Sequence, residues 1–283
     1  MERPRIQALA GDRLHLSHGP IDVVLRAWGP AAELRRAYDA VAERFGTVLG
    51  ELVGELAQLR RPAWDGPCVE GAVARRMVAA VRPFADTFIT PMAAVAGSVA
   101  DELLAAMLKA AALPKAFVND GGDIAVHVAP GERLTIGVAG DFSGGAIPAL
   151  NGALTVCAED GIGGVATSGF NGRSFSMGIA DAVTVVATTA AGADAAATLV
   201  ANAVTLVSPA IQRCPARDLD PDSDLGDRLV TTGVGPLSPA EIAEALERGA
   251  AEARRFLDRG LMRGAALMLR GEAVTVGAVP ALT

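Results

Sequence analysis

Asp194 and Thr198 stand four residues apart in Ala193-Asp194-Ala195-Ala196-Ala197-Thr198, a stretch of helix-forming composition. At that spacing a carboxylate and a hydroxyl stack on one helix face and can share a hard cation such as Mg²⁺ or Ca²⁺. The competing reading makes Asp194 a carboxylate near a helix N-terminus and Thr198 a packing residue, and residue types alone favour it. Upstream, Asn119-Asp120-Gly121-Gly122-Asp123 places two glycines between acids. Such glycines let backbone approach a ligand, and their amides can nest an anion. A hairpin turn accounts for the same residues equally well. Ala166-Thr167-Ser168-Gly169, followed by Arg173, offers hydroxyls, amides and a guanidinium that could cradle a diphosphate. Taken together, these stretches suit a small phosphate-bearing ligand accompanied by a divalent cation.

Other reactive side chains are few. Ser168 lacks the G-x-S-x-G setting of a hydrolase nucleophile, and no spacing puts His15, His18 or His127 beside it. His18, next to Gly19-Pro20, reads first as a turn residue and second as a ligand contact. Cys214 lies between Arg213 and Arg217, two cations that would activate a thiol. A nucleophile, a sulfur carrier and a structural thiol all stay open for it. Asp218, Asp220, Asp222, Asp224 and Asp227 crowd one stretch without the closing Glu of an EF-hand. They read as a solvated loop held by Arg213, Arg217 or Arg228.

The elements that position these residues follow from periodicity and punctuation. Arg13 to Leu16 and Ile21 to Ala27 form a hairpin across Gly19-Pro20. Helices are predicted over 31–59, 69–81, 93–112, 191–206 and from Ser238 to about 259. The last opens with a capping box, Ser238-Pro239-Ala240-Glu241. Gly46, Gly50 and Gly54 sit four apart in the first helix and are expected to mark close helix packing. Strands are predicted over 116–119, 124–128, 133–138, 154–158, 165–167 and 182–187. A terminal hairpin joins Leu267 to Arg270 with Ala273 to Val276 through a two-residue turn at Gly271-Glu272, and 209–224 reads as loop. Gly19-Pro20-Ile21-Asp22 and Gly178-Ile179-Ala180-Asp181 suggest a faint duplicated β-then-α unit.

The 283 residues carry a net charge of −7, with 51% hydrophobic and only 4% aromatic residues. The chain can bury a large core filled by Ala, Val and Leu. No Lys/Arg-rich run supplies the basic footprint a nucleic-acid partner needs. Arg60-Arg61 and Arg75-Arg76 read as pairs on solvated helix faces. The three cysteines are odd in number and far apart, which fits a reducing cytosol better than a disulfide framework. No apolar signal segment opens the sequence, and 91–113, interrupted by Asp101, Glu102 and Lys109, reads as a buried helix. The expectation is therefore a cytoplasmic protein without a membrane or nucleic-acid partner. Whether it forms a homo-oligomer is open.

A family resemblance rests on HGPIDVVL (18–25), FVNDGGDIAVHV (117–128), GVATSGFNGRSFSMGIADAVTV (164–185), ADAAAT (193–198) and PDSDLGDRLVT (221–231). These stretches resemble uncharacterised protein family 0280 (UPF0280), a distant relative of the ApbE flavin transferases. The ApbE K-G-x-x-x-D helix start is matched at Gly97 and Asp101, with Ala96 in place of Lys. N-x-G-G-[DN] is matched at Asn119, Gly121, Gly122 and Asp123, A-T-S-G at 166–169, and A-D-A-x-x-T at 193–198. The resemblance implies an α+β fold, mainly antiparallel sheet with packed helices, as a single ApbE-like domain over 1–283 with internal duplication. It implies that Gly97, Asp101, Asn119, Gly121, Gly122, Asp123, Thr167, Ser168, Gly169 and Arg173 bind FAD or FMN. It also implies Mg²⁺ on Asp194 and Thr198, which brings the metal and helix-end readings level. The H-x-x-D-P-x-T-G loop of ApbE has no counterpart between Phe170 and Asp181, where Asp181 is the sole acid. Transferase activity is thus an open expectation, with Asp181 and Cys214 as the catalytic candidates. The alternative is a non-catalytic or sulfur- or redox-linked partner protein acting through Cys214.

Overall fold

The computed structural model describes residues 3–141 and 149–279. In chain order the elements are β1 (Arg5–Leu9), β2 (Arg13–His18), β3 (Ile21–Trp28), α1 (Ala31–Gly54), α2 (Leu56–Leu59), α3 (Ala72–Val81) and α4 (Val95–Ala110). Then come β4 (Lys115–Asp120), β5 (Asp123–Val128), β6 (Arg133–Asp141), β7 (Ala149–Cys157), β8 (Gly164–Ser168), β9 (Ala182–Ala187) and α5 (Ala190–Ala203). The chain closes with β10 (Ile211–Pro215), α6 (Ala216–Leu219), β11 (Leu229–Val234), α7 (Pro239–Asp258), β12 (Gly264–Leu269) and β13 (Glu272–Gly277). The architecture is α+β with antiparallel sheet.

By internal contacts the chain forms two compact units. The first comprises Met1–Leu134, Val156–Ala166 and Ala187–Ala195; the second comprises Thr135–Thr155, Thr167–Val186 and Ala196–Thr283. In the first, strands follow the order β1-β2-β3-β4-β5-β8. β3 alternates as a half-buried strand should, with Ile21, Val23, Leu25 and Ala27 inward. Against this sheet pack α1, through Ala37, Val41, Phe45, Val48 and Leu52, and α4, through Val99, Leu103 and Met107.

In the second unit β9 pairs with β12, and β12 with β13. β9, AVTVVA, is buried along its whole length, with Thr184 the one polar residue in an otherwise apolar strand. α7 packs on β12 and β13, and a separate ribbon joins β10 to β11.

Several expectations need correction. The helix expected over 31–59 breaks at Glu55, which leaves helical geometry and turns its carboxylate to the amides of Glu70 (2.7 Å) and Gly71 (2.6 Å) ahead of α3. Gly46 and Gly54 do not mark close packing, since a Cβ at either would meet open space. Arg76 is not on a purely solvated face: it and Arg44 each donate to Glu102 at 2.8 Å, tying α3 and α1 to α4. β1 and β11 had no clear signal, and β10 and α6 lie in a stretch whose Pro and Asp content reads as loop. The suspected duplication is not confirmed. Gly19-Pro20 is a tight hairpin turn, whereas 178–181 leads into β9, whose partner β12 comes about 80 residues later.

Pro91–Ala110 is the one described segment long and apolar enough to cross a membrane, by length and composition. Its helical part, α4, packs on α1, α3, β4 and β5.

Candidate functional site

The glycine pair forms the two-residue turn between β4 and β5, with Asp120 paired directly across from Asp123. Both glycines have positive φ, 64° and 117°, which is why a two-residue hairpin selects them here. Asn119 Oδ1 accepts from Gly122 N at 2.8 Å and so stabilises the turn itself. The hairpin reading is therefore realised. It leaves two like charges opposite each other at the mouth of the turn, an arrangement that is destabilising without compensation. Asp120 is buried, and its Oδ1 lies 3.4 Å from the Asp22 amide.

α5 starts close by in the same unit, and its first turn leaves no orphan amide. Ala190 N donates to Asp101 Oδ1 at 3.0 Å and Ala191 N to Asp101 Oδ2 at 2.9 Å. Gly192 N donates to Thr189 Oγ1 at 3.1 Å, and Ala193 N to the Thr189 carbonyl at 3.0 Å. Three amides that a helix start would otherwise expose are thus satisfied, two of them by a carboxylate from another helix, and Ala193 N makes the first ordinary helix bond. A phosphate could not use Ala190 and Ala191 without displacing Asp101. The Asp101 carboxylate, to which the resemblance gives flavin contact, makes two bonds within the protein here. Gly97 serves the same helix crossing: a methyl there would overlap the Ala190 carbonyl and stand 2.7 Å from Ala191 N.

Asp194, one turn into α5, accepts from Gly97 N through Oδ2 at 3.1 Å. Burial raises its proton affinity well above that of an ordinary carboxyl, and Asp123, Asp120 and Asp101 raise it further, against the Gly97 bond. Asp101 is shifted up as well, first by burial, although its two α5 amides and Arg76 pull the other way. Three other carboxylates of the same unit therefore act on Asp194. Among the described residues no three His, Cys, Asp or Glu side chains lie close enough to form a metal cluster by themselves. Thr198 follows Asp194 by four residues on the continuous helix α5.

In the second unit, Thr167 Oγ1 lies 2.8 Å from Thr184 Oγ1, and Ser168 ends β8. Gly169 permits close contact with the Asp181 backbone, and Arg173 is exposed. Asp181 Oδ2 accepts from Arg270 N at the β12–β13 turn, a structural use of this catalytic candidate. Cys214 is half-buried on β10. Its neighbouring guanidiniums have other partners: Arg213 donates to Thr205 at 2.7 Å, and Arg217 pairs with Asp227 at 2.6 Å. The latter bond is one of those expected to hold the acidic loop. In the first unit, His18 is buried edge-on against Phe45, with ring centroids 6.2 Å apart.

Sequence reasoning did not name Asp120 as a site residue. The signal was present in the like-charged pair flanking a two-residue turn. Nothing local to Asp101 signalled its partners, which lie 89 and 90 residues away.

Comparison with known proteins adds family context. The profile of the family described as AbpE bacteria matches residues 5–275. A UPF0280 protein of Methanothrix thermoacetophila is 43% identical over 118 residues, 41% of this chain and 47% of that protein. UPF0280 proteins of Methanopyrus kandleri and Methanosarcina acetivorans are each 39% identical, over 149 and 148 residues, covering 51% of this chain and 56% and 54% of their own. The chain spans about half the length of the curated relatives it matches. A solved structure, "Crystal structure of Pseudomonas stutzeri flavinyl transferase ApbE, apo form", aligns over 98% of this chain and 95% of that one. Its TM-score is 0.38 at 14% identity, too loose a likeness to carry an argument.

Proposed function

The chain belongs to the AbpE bacteria family, and from that premise we propose that it binds a phosphate-bearing small molecule, a flavin nucleotide, together with Mg²⁺ at Asp194. One observation supports this above the rest: the Asp194 carboxyl is held by Gly97 in a field set by Asp101, Asp120 and Asp123. Carboxylates gathered in this way are relieved either by a proton or by a cation, and near neutral pH a hard divalent ion competes well. Mg²⁺ usually takes one or two protein carboxylates and completes its octahedron with water and substrate phosphate. That preference fits a site without a three-carboxylate cage. Thr198, one turn along α5, is the proposed hydroxyl ligand. When bound, the ion would bridge the protein's negative charge to the ligand's phosphates.

Gly121 and Gly122 shape the turn that carries Asp120 and Asp123, and this places them in the proposal as scaffold. Thr167, Ser168, Gly169 and Arg173 belong to the second unit, and their expected phosphate contact needs its own variants. The acidic balance of the chain argues against a nucleic-acid partner. We place the protein in the cytoplasm.

Isothermal titration with Mg²⁺, FAD and the two together tests the proposal. FAD should bind more tightly with Mg²⁺ present, and Asp194→Asn should remove that dependence. Equal FAD affinity with and without Mg²⁺, or no FAD binding at all, would contradict it. Arg173→Ala reports separately on the second unit's stretch.

A further inference from the structure

α4 and α5 exchange carboxylates. α4 gives Asp101 to the first two amides of α5, and α5 returns Asp194 to the Gly97 amide in the first turn of α4. Two links running in opposite directions fix both the spacing and the rotation of the helices where they cross. Gly97 sets how near they come. α4 is itself anchored by the residue after Asp101, because Glu102 accepts from Arg44 of α1 and from Arg76 of α3, each at 2.8 Å. Asp194 thus sits on a helix turn whose orientation is dictated by Asp101.

We propose that Asp101 is the positioning residue for the cation site at Asp194: it contacts the start of α5 and not the ligand, and it holds the Asp194 carboxylate in the orientation that accepts the ion. This rests on the cation reading above. It differs from the part the sequence motif gives Asp101, which is direct contact with the flavin.

The test uses Mn²⁺ as the probe, with electron paramagnetic resonance reading free and bound ion, with and without FAD. Hydrogen exchange over 188–195 reports on the α5 amides in the same proteins. Asp101→Ala should speed exchange at Ala190 and Ala191 and weaken Mn²⁺ binding about 10–100-fold, the range for loss of a supporting partner. Asp101→Asn keeps one accepting oxygen, so it should fall between Asp101→Ala and wild type in both readouts. It also decides the matter if Asp101→Ala does not fold. Asp194→Asn should abolish binding while leaving the two amides protected. Two results would overturn the proposal: wild-type Mn²⁺ affinity in Asp101→Asn despite faster exchange, or complete loss of binding in Asp101→Asn with the amides still protected, which would make Asp101 a ligand. Failure of the wild-type protein to bind Mn²⁺ under either condition overturns the cation reading and the positioning role with it. Exchange at Ala190 and Ala191 then still shows separately whether the Asp101 clasp exists.

Discussion

Asp194 has three carboxylates bearing on it and one amide, Gly97 N, in opposition. The folded protein therefore holds a proton there over a pH range in which the unfolded chain has released it. Asp101 is shifted in the same direction. The sign follows by linkage: stability of the metal-free protein is unimpaired below the ordinary carboxylate range and declines as pH rises through the raised values. Melting curves in EDTA across a pH series should show this decline. Asp194→Asn should flatten it, and saturating Mg²⁺ should restore stability at the upper end. A metal-free protein whose stability climbs steadily from pH 4 to pH 8 would contradict this reading of the site. Gly97→Ala forces a methyl against the Ala190 backbone. It should cost about 1–3 kcal/mol by urea denaturation, the range for overpacking, and weaken Mn²⁺ binding as the helices separate.

Helices hold this molecule together through carboxylates as well as through apolar faces. Glu102 joins α4 to α1 and α3, and Arg44 also makes a paired contact with Glu51, both bonds 2.8 Å long. Burial pushes the Glu102 carboxyl up, but the hydrogen bonds from Arg44 and Arg76 outweigh it and hold the group below its usual range. Its pH dependence is opposite to that of Asp194: the contribution is present above the ordinary carboxylate range and is lost as pH falls through the lowered value. Glu102→Gln should cost about 2 kcal/mol in a chemical melt at neutral pH, since charged hydrogen bonds to two arginines are weakened. At the other end of the chain, Ser238 Oγ accepts from Glu241 N at 3.3 Å, and Glu241 Oε2 accepts from Ser238 N at 2.8 Å. Ser238→Ala should cost about 1 kcal/mol, the usual value of an N-cap. A loss under a few tenths would mean that α7 is held by its packing on β12 and β13 alone.

At the level of the whole chain, ligand binding should appear as stability. A ligand at about 100 times its dissociation constant stabilises a native protein by roughly 2.7 kcal/mol. For a chain of 283 residues that amounts to a rise of about 4–5 °C in the melting midpoint. FAD with Mg²⁺ should produce a shift of that order, reversed by EDTA. FAD giving the same shift in EDTA would separate flavin binding from the metal. By internal contacts the chain forms two compact units, and each should be read for its own response. Hydrogen exchange resolved by segment would show which unit a ligand protects, and the proposal requires protection around 119–123 and 190–195.

What the sequence determined by itself was local. The apolar period of α1, the alternation of β3, the Ser238–Glu241 box and the tight turn at Gly121-Gly122 are each written within a few consecutive residues. Their physics is short-range: side-chain period, positive φ and a cap within reach. The ADAAAT stretch puts Asp194 and Thr198 one turn apart on a helix for the same reason. The tertiary structure decided what those residues face. Glu55 breaks a helix that composition would continue, because two amides 15 and 16 residues away take its carboxylate. β10 forms inside a Pro/Asp-rich stretch because β11 supplies its hydrogen-bonding partner. Asp101 became the clasp of α5, and Asp120 joined the charge around Asp194. Burial and the field of charges brought together from distant parts of the chain set a carboxyl's proton affinity, and neither can be read from its neighbours in sequence.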